Sequence, residues 1–212
     1  MIFPLASDQY AEYRDGAFLD LLGLGELKTS LRKFWPRNGP QWDALGVGRP
    51  EDNEQIKHSA GQAVIRHLSS VINPVFLVEA KANIPEIMSS LGAKSEHSIA
   101  KIQKSLEETR KYLRCKNSEL WEKGFYQYVN RLAHLYFLRD ICKVDACLIF
   151  VYFLNDPTHL PASREEWAGA LELQKRLLGL KNHRLRRYVT EIFIDVKELR
   201  IFDHKFGRAI NS

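Results

Sequence analysis

The feature that most constrains the fold is the run at residues 75–82, Val-Phe-Leu-Val-Glu-Ala-Lys-Ala, which is apolar except for two opposite charges near its end. Its β-branched and aromatic residues, with Pro74 before it and Pro85 after it, predict a mostly buried strand. Because side chains alternate along a strand, Glu79 and Lys81 lie on the same face. Burying charge there is costly unless the groups are paired, hydrogen-bonded or bound to a metal. The run therefore predicts either a simple ion pair at a strand end or a functional site.

A second short strand with a single acid precedes this run. Residues 35–47, Trp-Pro-Arg-Asn-Gly-Pro-Gln-Trp-Asp-Ala-Leu-Gly-Val, predict a Pro/Gly turn and then an apolar strand that carries Asp43. The motifs Trp-Pro-x-x-Gly-Pro-x-Trp-Asp and Leu-Val-Glu-Ala-Lys resemble the PD-(D/E)xK nuclease superfamily, and within it an uncharacterised bacterial branch. The matched residues are Asp43, Glu79 and Lys81, and Trp42 stands where the family name has a proline.

The resemblance implies an α/β fold, the restriction-endonuclease-like three-layer αβα sandwich with a central mixed β-sheet flanked by helices. It covers residues 17–155, roughly, and a C-terminal helix and edge strand at 162–200 complete a single domain of residues 1–212. A chain of this length can bury a full core as one domain. Residues 49–73 lengthen the interval between the two acids and predict an inserted loop or short helix.

The resemblance also implies metal-dependent hydrolysis of phosphodiester bonds in DNA. Asp43, Glu79 and the backbone carbonyl of Ala80 would hold Mg²⁺ (or Mn²⁺), a hard cation that prefers oxygen ligands and keeps several waters. Lys81 would orient the attacking water and stabilise the transition state. A first-helix acid often points toward the metal in this superfamily, and Glu26 is the nearest candidate. An exposed, solvated glutamate is the alternative for Glu26.

A polar and aromatic stretch at residues 126–133 holds the candidates for phosphate or DNA binding. Gln127 resembles the glutamine of a helix motif that borders the active site in several nuclease branches. Arg131, one turn on, would bind a phosphate through two parallel hydrogen bonds. Ordinary polar contacts between helices are the alternative for both residues.

Hydrophobic periodicity predicts the remaining elements. We expect helix at 8–33, broken near Gly23 and Gly25, an amphipathic helix at 95–114 and a long helix at 118–141. The nearly continuous apolar run at 145–154 predicts a central strand covered on both faces. A capping-box pattern at Ser163 opens a helix that Gly179 ends, and residues 188–196 predict an edge strand.

Composition agrees with a compact binding module or enzyme. Lys and Arg exceed Asp and Glu by 31 to 26, a net charge of +5 that modestly favours a polyanionic partner. The three cysteines, Cys115, Cys142 and Cys147, predict reduced thiols in a cytoplasmic protein rather than a zinc site. We find no signal peptide and no window that predicts a membrane span.

Two other function classes compete with the nuclease. A noncatalytic nucleic-acid-binding or scaffold subunit could retain the fold, although such relatives usually lose at least one of the three site residues. A small-molecule hydrolase would need a nucleophile signature such as Gly-x-Ser-x-Gly, which the chain lacks. A homodimer or another protein partner stays open at this point.

Overall fold

The computed structural model describes Tyr13 and residues 16–37, 39–48, 74–116 and 119–198. The helices are α1 (Ala17–Leu21), α2 (Lys28–Phe34), α3 (Glu96–Leu113), α4 (Glu119–Lys123), α5 (Tyr126–Tyr136) and α6 (Arg164–Leu177). The strands are β1 (Ala44–Val47), β2 (Val75–Lys81), β3 (Ala146–Leu154) and β4 (Val189–Asp195). Short 3₁₀ turns lie at Gly25–Leu27, Ile84–Ile87 and Arg186–Tyr188, and a π turn, Phe137–Ile141, follows α5.

The four described strands form one mixed, open sheet in the order β1-β2-β3-β4. β1 pairs antiparallel with β2, with Ala44 opposite Val78. β2 and β3 are parallel, as are β3 and β4, so a helical crossover separates each of these pairs. The central place of β3 and the edge place of β4 confirm the two strand predictions. The chain is thus mixed α/β, as expected.

The helices α5 and α6 pack on one face of the sheet through aromatic side chains. Tyr128 of α5 stacks on Phe150 with ring centroids 4.9 Å apart, and Trp167 of α6 contacts Tyr152 at 4.7 Å. These contacts belong to one hydrophobic core that extends from Phe18 of α1 into the 3₁₀ turn before β4. Nearly every side chain of α5 after its first turn is buried, because the sheet, α3 and the N-terminal helices enclose it.

The opposite face of the sheet is apolar but only half covered. Along β3 buried and half-buried residues alternate strictly, so the second face is covered less than the first, and the predicted cover on both faces is seen only in part. The large half-buried or exposed apolar side chains of this second face include Phe76, Cys147, Ile149, Val151, Phe153, Ile192 and Ile194. A second helical layer, which the three-layer sandwich requires, stays a prediction.

The predicted N-terminal helix is shorter than expected. Residues 8–12 lie outside the described residues, and Tyr13 forms an antiparallel bridge with Trp42, so it is extended rather than helical. The predicted break is confirmed, because Gly23 has φ of 73°, which ends α1 in the left-handed region that glycine adopts without strain. The predicted insertion at 49–73 also lies outside the described residues.

The long helix predicted at 118–141 is two helices. Phe125 leaves helical geometry (φ −134°, ψ 39°) and forms a parallel bridge with Ser89, which separates α4 from α5. By contrast, α3 begins and ends as predicted, with the Ser95 side chain accepting the Ser98 amide and Arg114 in the left-handed region at its end. The capping box of Ser163 and Glu166 is formed, and α6 ends two residues before Gly179. Among the described residues, none of the helices has the length and apolarity needed to cross a membrane.

Candidate functional site

Strand pairing brings the two predicted acids together. Because Ala44 pairs with Val78 in antiparallel register, Asp43 comes opposite Glu79 one step further along. Two hydrogen bonds hold it there: its amide donates to the Val78 carbonyl at 3.2 Å, and its Oδ2 accepts the Ala80 amide at 2.7 Å. Asp43 therefore sits at the start of β1, beside the end of β2 that carries Glu79 and Lys81.

Glu79 is the centre of a buried charge cluster. The residue is 3% exposed, and each carboxylate oxygen contacts a cation. Its Oε1 accepts from Lys81 Nζ at 2.6 Å, and its Oε2 accepts from Arg131 Nε at 2.7 Å. A buried carboxylate is tolerated only when it is paired and hydrogen-bonded in this way. With Asp43 nearby, two negative and two positive charges balance.

Arg131 joins the two strands that carry the acids. Besides its contacts with Glu79, its guanidinium donates to the Gln41 carbonyl at 2.8 Å, two residues before Asp43. It also lies 5.0 Å over the ring of Trp42, which is fully buried. Trp42, which stands where the motif name PD-(D/E)xK has a proline, thus packs its ring against the arginine that pairs with Glu79. Arg131 is 4% exposed and also lines the cleft described below, and its role in phosphate binding stays a prediction.

A cleft of about 740 Å³ opens over this cluster. Its walls are the turn before β1, the 3₁₀ turn and loop after β2, and the first turns of α3 and α5. Of the residues predicted from the sequence, it is lined by Asp43, Glu79, Ala80, Lys81, Gln127 and Arg131. Gln127 is half-buried, and its backbone N–H donates to Ser89 Oγ at 2.8 Å. Glu26 is exposed and does not line the cleft, so the geometry does not bring it to the acids.

The sequence predicted a short turn after β2 but no place in the site for its Glu86. Glu86 lines the cleft and accepts hydrogen bonds from the Ala82 amide at 3.0 Å and from Asn83 Nδ2 at 2.7 Å. The Glu86 amide in turn donates to the Asn83 side chain. An Asn followed three residues later by Glu is a helix-capping pattern, and it could have located this rigid turn. The turn fixes the chain directly after Lys81.

Helix α5 carries further polar groups, of which Tyr126 and Asn130 line the cleft and His134 is buried behind it. His134 Nδ1 donates to the Asn130 carbonyl at 2.9 Å, and burial lowers the pKa of His134 to about 3. It is therefore neutral at physiological pH. Asn130, 5% exposed, lines the cleft, and burial raises the pKa of the cleft residue Tyr126 to about 12. These groups offer neutral hydrogen bonding beside the charged cluster.

The donor atoms suit a hard cation only in part. Asp43 and Glu79 provide carboxylate oxygens, and each Glu79 oxygen has a second lone pair besides the one that meets a cation. Within the described residues, however, no three His, Cys, Asp or Glu side chains group closely enough to hold a metal ion. A cation here would need water ligands and the Ala80 carbonyl to complete its shell.

Comparison of the chain with protein-family models, with curated proteins and with solved structures found no match.

Proposed function

We propose that this protein is a metal-dependent nuclease that hydrolyses phosphodiester bonds in DNA, with a restriction-endonuclease-like fold. The observation that carries the proposal is the register of β1 and β2, which sets Asp43 opposite Glu79 with Lys81 on the same face. These three groups line one cleft large enough for a nucleotide unit.

Each residue has a separate task in this proposal. Asp43 and Glu79, with the Ala80 carbonyl, would hold Mg²⁺ or Mn²⁺, which when bound stabilises charge on the phosphoryl oxygens and activates water. Lys81, whose side chain is 12% exposed, would position the attacking water with the donors that Glu79 does not use. Gln127 would contact the substrate from the first turn of α5.

The second candidate is a noncatalytic nucleic-acid-binding or scaffold subunit. One observation favours it: both oxygens of Glu79 already contact cations, at 2.6 and 2.7 Å. The Lys81 ammonium and the Arg131 guanidinium together offset the charges of the two carboxylates, which weakens the attraction of the site for a divalent cation. A site that only holds the two strands together would have the same arrangement.

Cleavage assays separate the two candidates. Supercoiled, linear and single-stranded DNA would be incubated with Mg²⁺ or Mn²⁺, using the wild type, Asp43→Asn and Lys81→Met, with EDTA as a control. Glu122→Gln is a matched control, since Glu122 is a half-buried acid that accepts from Gln103 at 2.9 Å outside the cleft. If the protein is a nuclease, we expect metal-dependent cutting by wild type and Glu122→Gln. The cleavage rate of the two site variants should be lower by roughly 100-fold or more. DNA binding without cutting in all four proteins would favour the noncatalytic subunit.

A further inference from the structure

Two basic segments that are distant in sequence meet at the C-terminal end of α3. The guanidinium of Arg184 lies 5.2 Å over the ring of Tyr112, in the last turn of α3. The backbone before it is anchored to the same region, because the Leu178 carbonyl accepts from Cys115 Sγ at 2.8 Å and from Trp121 Nε1 at 3.2 Å. The loop before β4 is thus packed against the helix end rather than extended away from it.

The exposed cations of these segments form one surface, which we call the basic end surface. Its members are Lys111, Arg114, Lys116, Arg184, Arg186 and Arg187, all of them exposed. The nearby acids among the described residues are paired. Glu107 pairs with Arg110 at 2.7 Å and with Lys111 of this surface at 3.3 Å, and Asp140 pairs with Lys143 at 3.6 Å. Glu172 and Glu191, which share a pocket with Arg186, pair with Arg176 and Lys175. The surface therefore has an excess of positive charge.

The three arginines are held by neutral groups. Arg184 lies over Tyr112 and Arg187 lies 4.8 Å from the centroid of the Tyr188 ring, while Arg186 donates to Asn182 at 3.4 Å. Among the described residues none of the three forms a salt bridge. A stacked arginine keeps its edge donors available, and those donors match phosphate oxygens in pairs.

The basic end surface and the cleft lie at opposite ends of α3. The cleft is lined by Lys94, Ser95 and Ser98 at the N-terminal end of the helix, whereas the surface surrounds its last turn. A helix of 18 residues is about 27 Å long at ~1.5 Å per residue. Duplex DNA rises ~3.4 Å per base pair, so this separation corresponds to about eight base pairs.

We propose that the basic end surface binds the phosphate backbone of DNA whose other part occupies the cleft. The identity of the ligand rests on the proposed function, whereas the surface itself rests on the contacts of Arg184, Arg186 and Arg187. Repeated phosphates at regular spacing match several separate arginines better than a single small anion does. The surface would increase affinity for longer DNA and would not take part in hydrolysis.

Fluorescence anisotropy with two labelled DNAs tests this proposal. A 16-base-pair duplex reaches both regions, and a 6-base-pair hairpin covers only one, so both are titrated in EDTA from 50 to 200 mM KCl. The variant Arg184→Gln/Arg186→Gln/Arg187→Gln should bind the duplex about 10- to 100-fold more weakly, and its log K against log salt slope should fall by about 2 to 3. Its affinity for the hairpin should change less than about twofold relative to wild type.

Two further variants control for folding and for net charge. Arg184→Lys/Arg186→Lys/Arg187→Lys retains the charges and should retain the salt slope of wild type. Arg164→Gln is the match for Arg184→Gln, since Arg164 is an exposed arginine 4.8 Å from an aromatic ring, that of Phe193, at the far end of α6. It should leave duplex affinity within about twofold of wild type.

Three results would overturn the proposal. The triple glutamine variant could bind the duplex as tightly as wild type, or Arg164→Gln could weaken duplex binding as much as Arg184→Gln does. Polyglutamate or anionic vesicles could also compete with the labelled duplex as strongly as unlabelled DNA of equal charge. The last would assign the surface to acidic partners in general. Hydrolysis plays no part in these measurements. A protein that binds through this surface but does not cut DNA would refute the proposed nuclease and leave the surface intact.

Discussion

The pair of Glu79 and Arg131 offers the sharpest test of how the site is built. Both residues are buried, and Arg131 Nε lies 2.7 Å from Glu79 Oε2. Removing one partner of a buried ion pair typically costs about 3–5 kcal/mol, because the other charge is left buried and uncompensated. Arg131→Met should cost an amount near the lower end of this range, since Lys81 still neutralises Glu79. Glu79→Gln should cost an amount near the upper end of this range, since it removes the carboxylate that both Lys81 and Arg131 contact.

A double-mutant cycle measures this coupling. The free energy of unfolding is obtained from urea titrations, followed by tryptophan fluorescence in EDTA, for wild type, Glu79→Gln, Arg131→Met and the double variant. We expect a coupling energy of at least about 1.5 kcal/mol, because the double variant no longer buries an unpaired Arg131.

The exposed pair of Glu172 and Arg176 is the matched control. Its atoms are 2.6 Å apart, close to the 2.7 Å of the buried pair, but the side chains are 45% and 63% exposed. Solvent screening should make its coupling energy much smaller than that of the buried pair. If Glu79 and Arg131 also proved additive within about 0.5 kcal/mol, the account of Glu79 as a carboxylate held by two cations would be refuted.

Three other predictions concern stability. Burial lowers the pKa of His134 from 6.5 to about 3, so between these pH values only the unfolded state binds a proton at this residue. The free energy of unfolding should therefore fall by up to about 1.4 kcal/mol per pH unit as the pH drops below 6.5. His134→Gln should flatten this pH dependence in urea titrations at pH 7, 6 and 5. Gly23→Ala should destabilise by about 1 kcal/mol because φ is 73°, whereas Gly169→Ala, inside α6 with open space around it, should stabilise by about 0.5–1 kcal/mol in thermal unfolding. Ser163→Ala should cost about 1 kcal/mol by removing the cap of α6, measured in the same way.

Each of these predictions can be contradicted. An unchanged pH dependence in His134→Gln would mean that His134 is protonated or accessible in the folded protein. Equal effects at Gly23 and Gly169 would argue against the left-handed backbone at Gly23. If Ser163→Ala left the stability unchanged, water would replace the capping hydrogen bonds with no loss of folding free energy.

Local patterns in the sequence predicted most elements of the fold. The strand from Val75 to Lys81 and the helix after Ser95 were located closely, because alternation and capping involve residues that are neighbours in the chain. The split between α4 and α5 was missed, because Phe125 leaves the helix to pair with Ser89, a contact that no local pattern encodes. The resemblance predicted that residues 126–133 border the site, and Gln127 and Arg131 do line the cleft.

The sequence by itself determined which chemical groups are available: an acid before a short strand, Glu-x-Lys at the end of another, and two basic segments. Only the tertiary structure decided how they combine. The pairing of β1 with β2 set Asp43 opposite Glu79, α5 brought Arg131 beneath them, and the loop before β4 carried Arg184 to Tyr112. The physical reason is that strand register and helix packing depend on the core as a whole, where burial of apolar surface outweighs local preference.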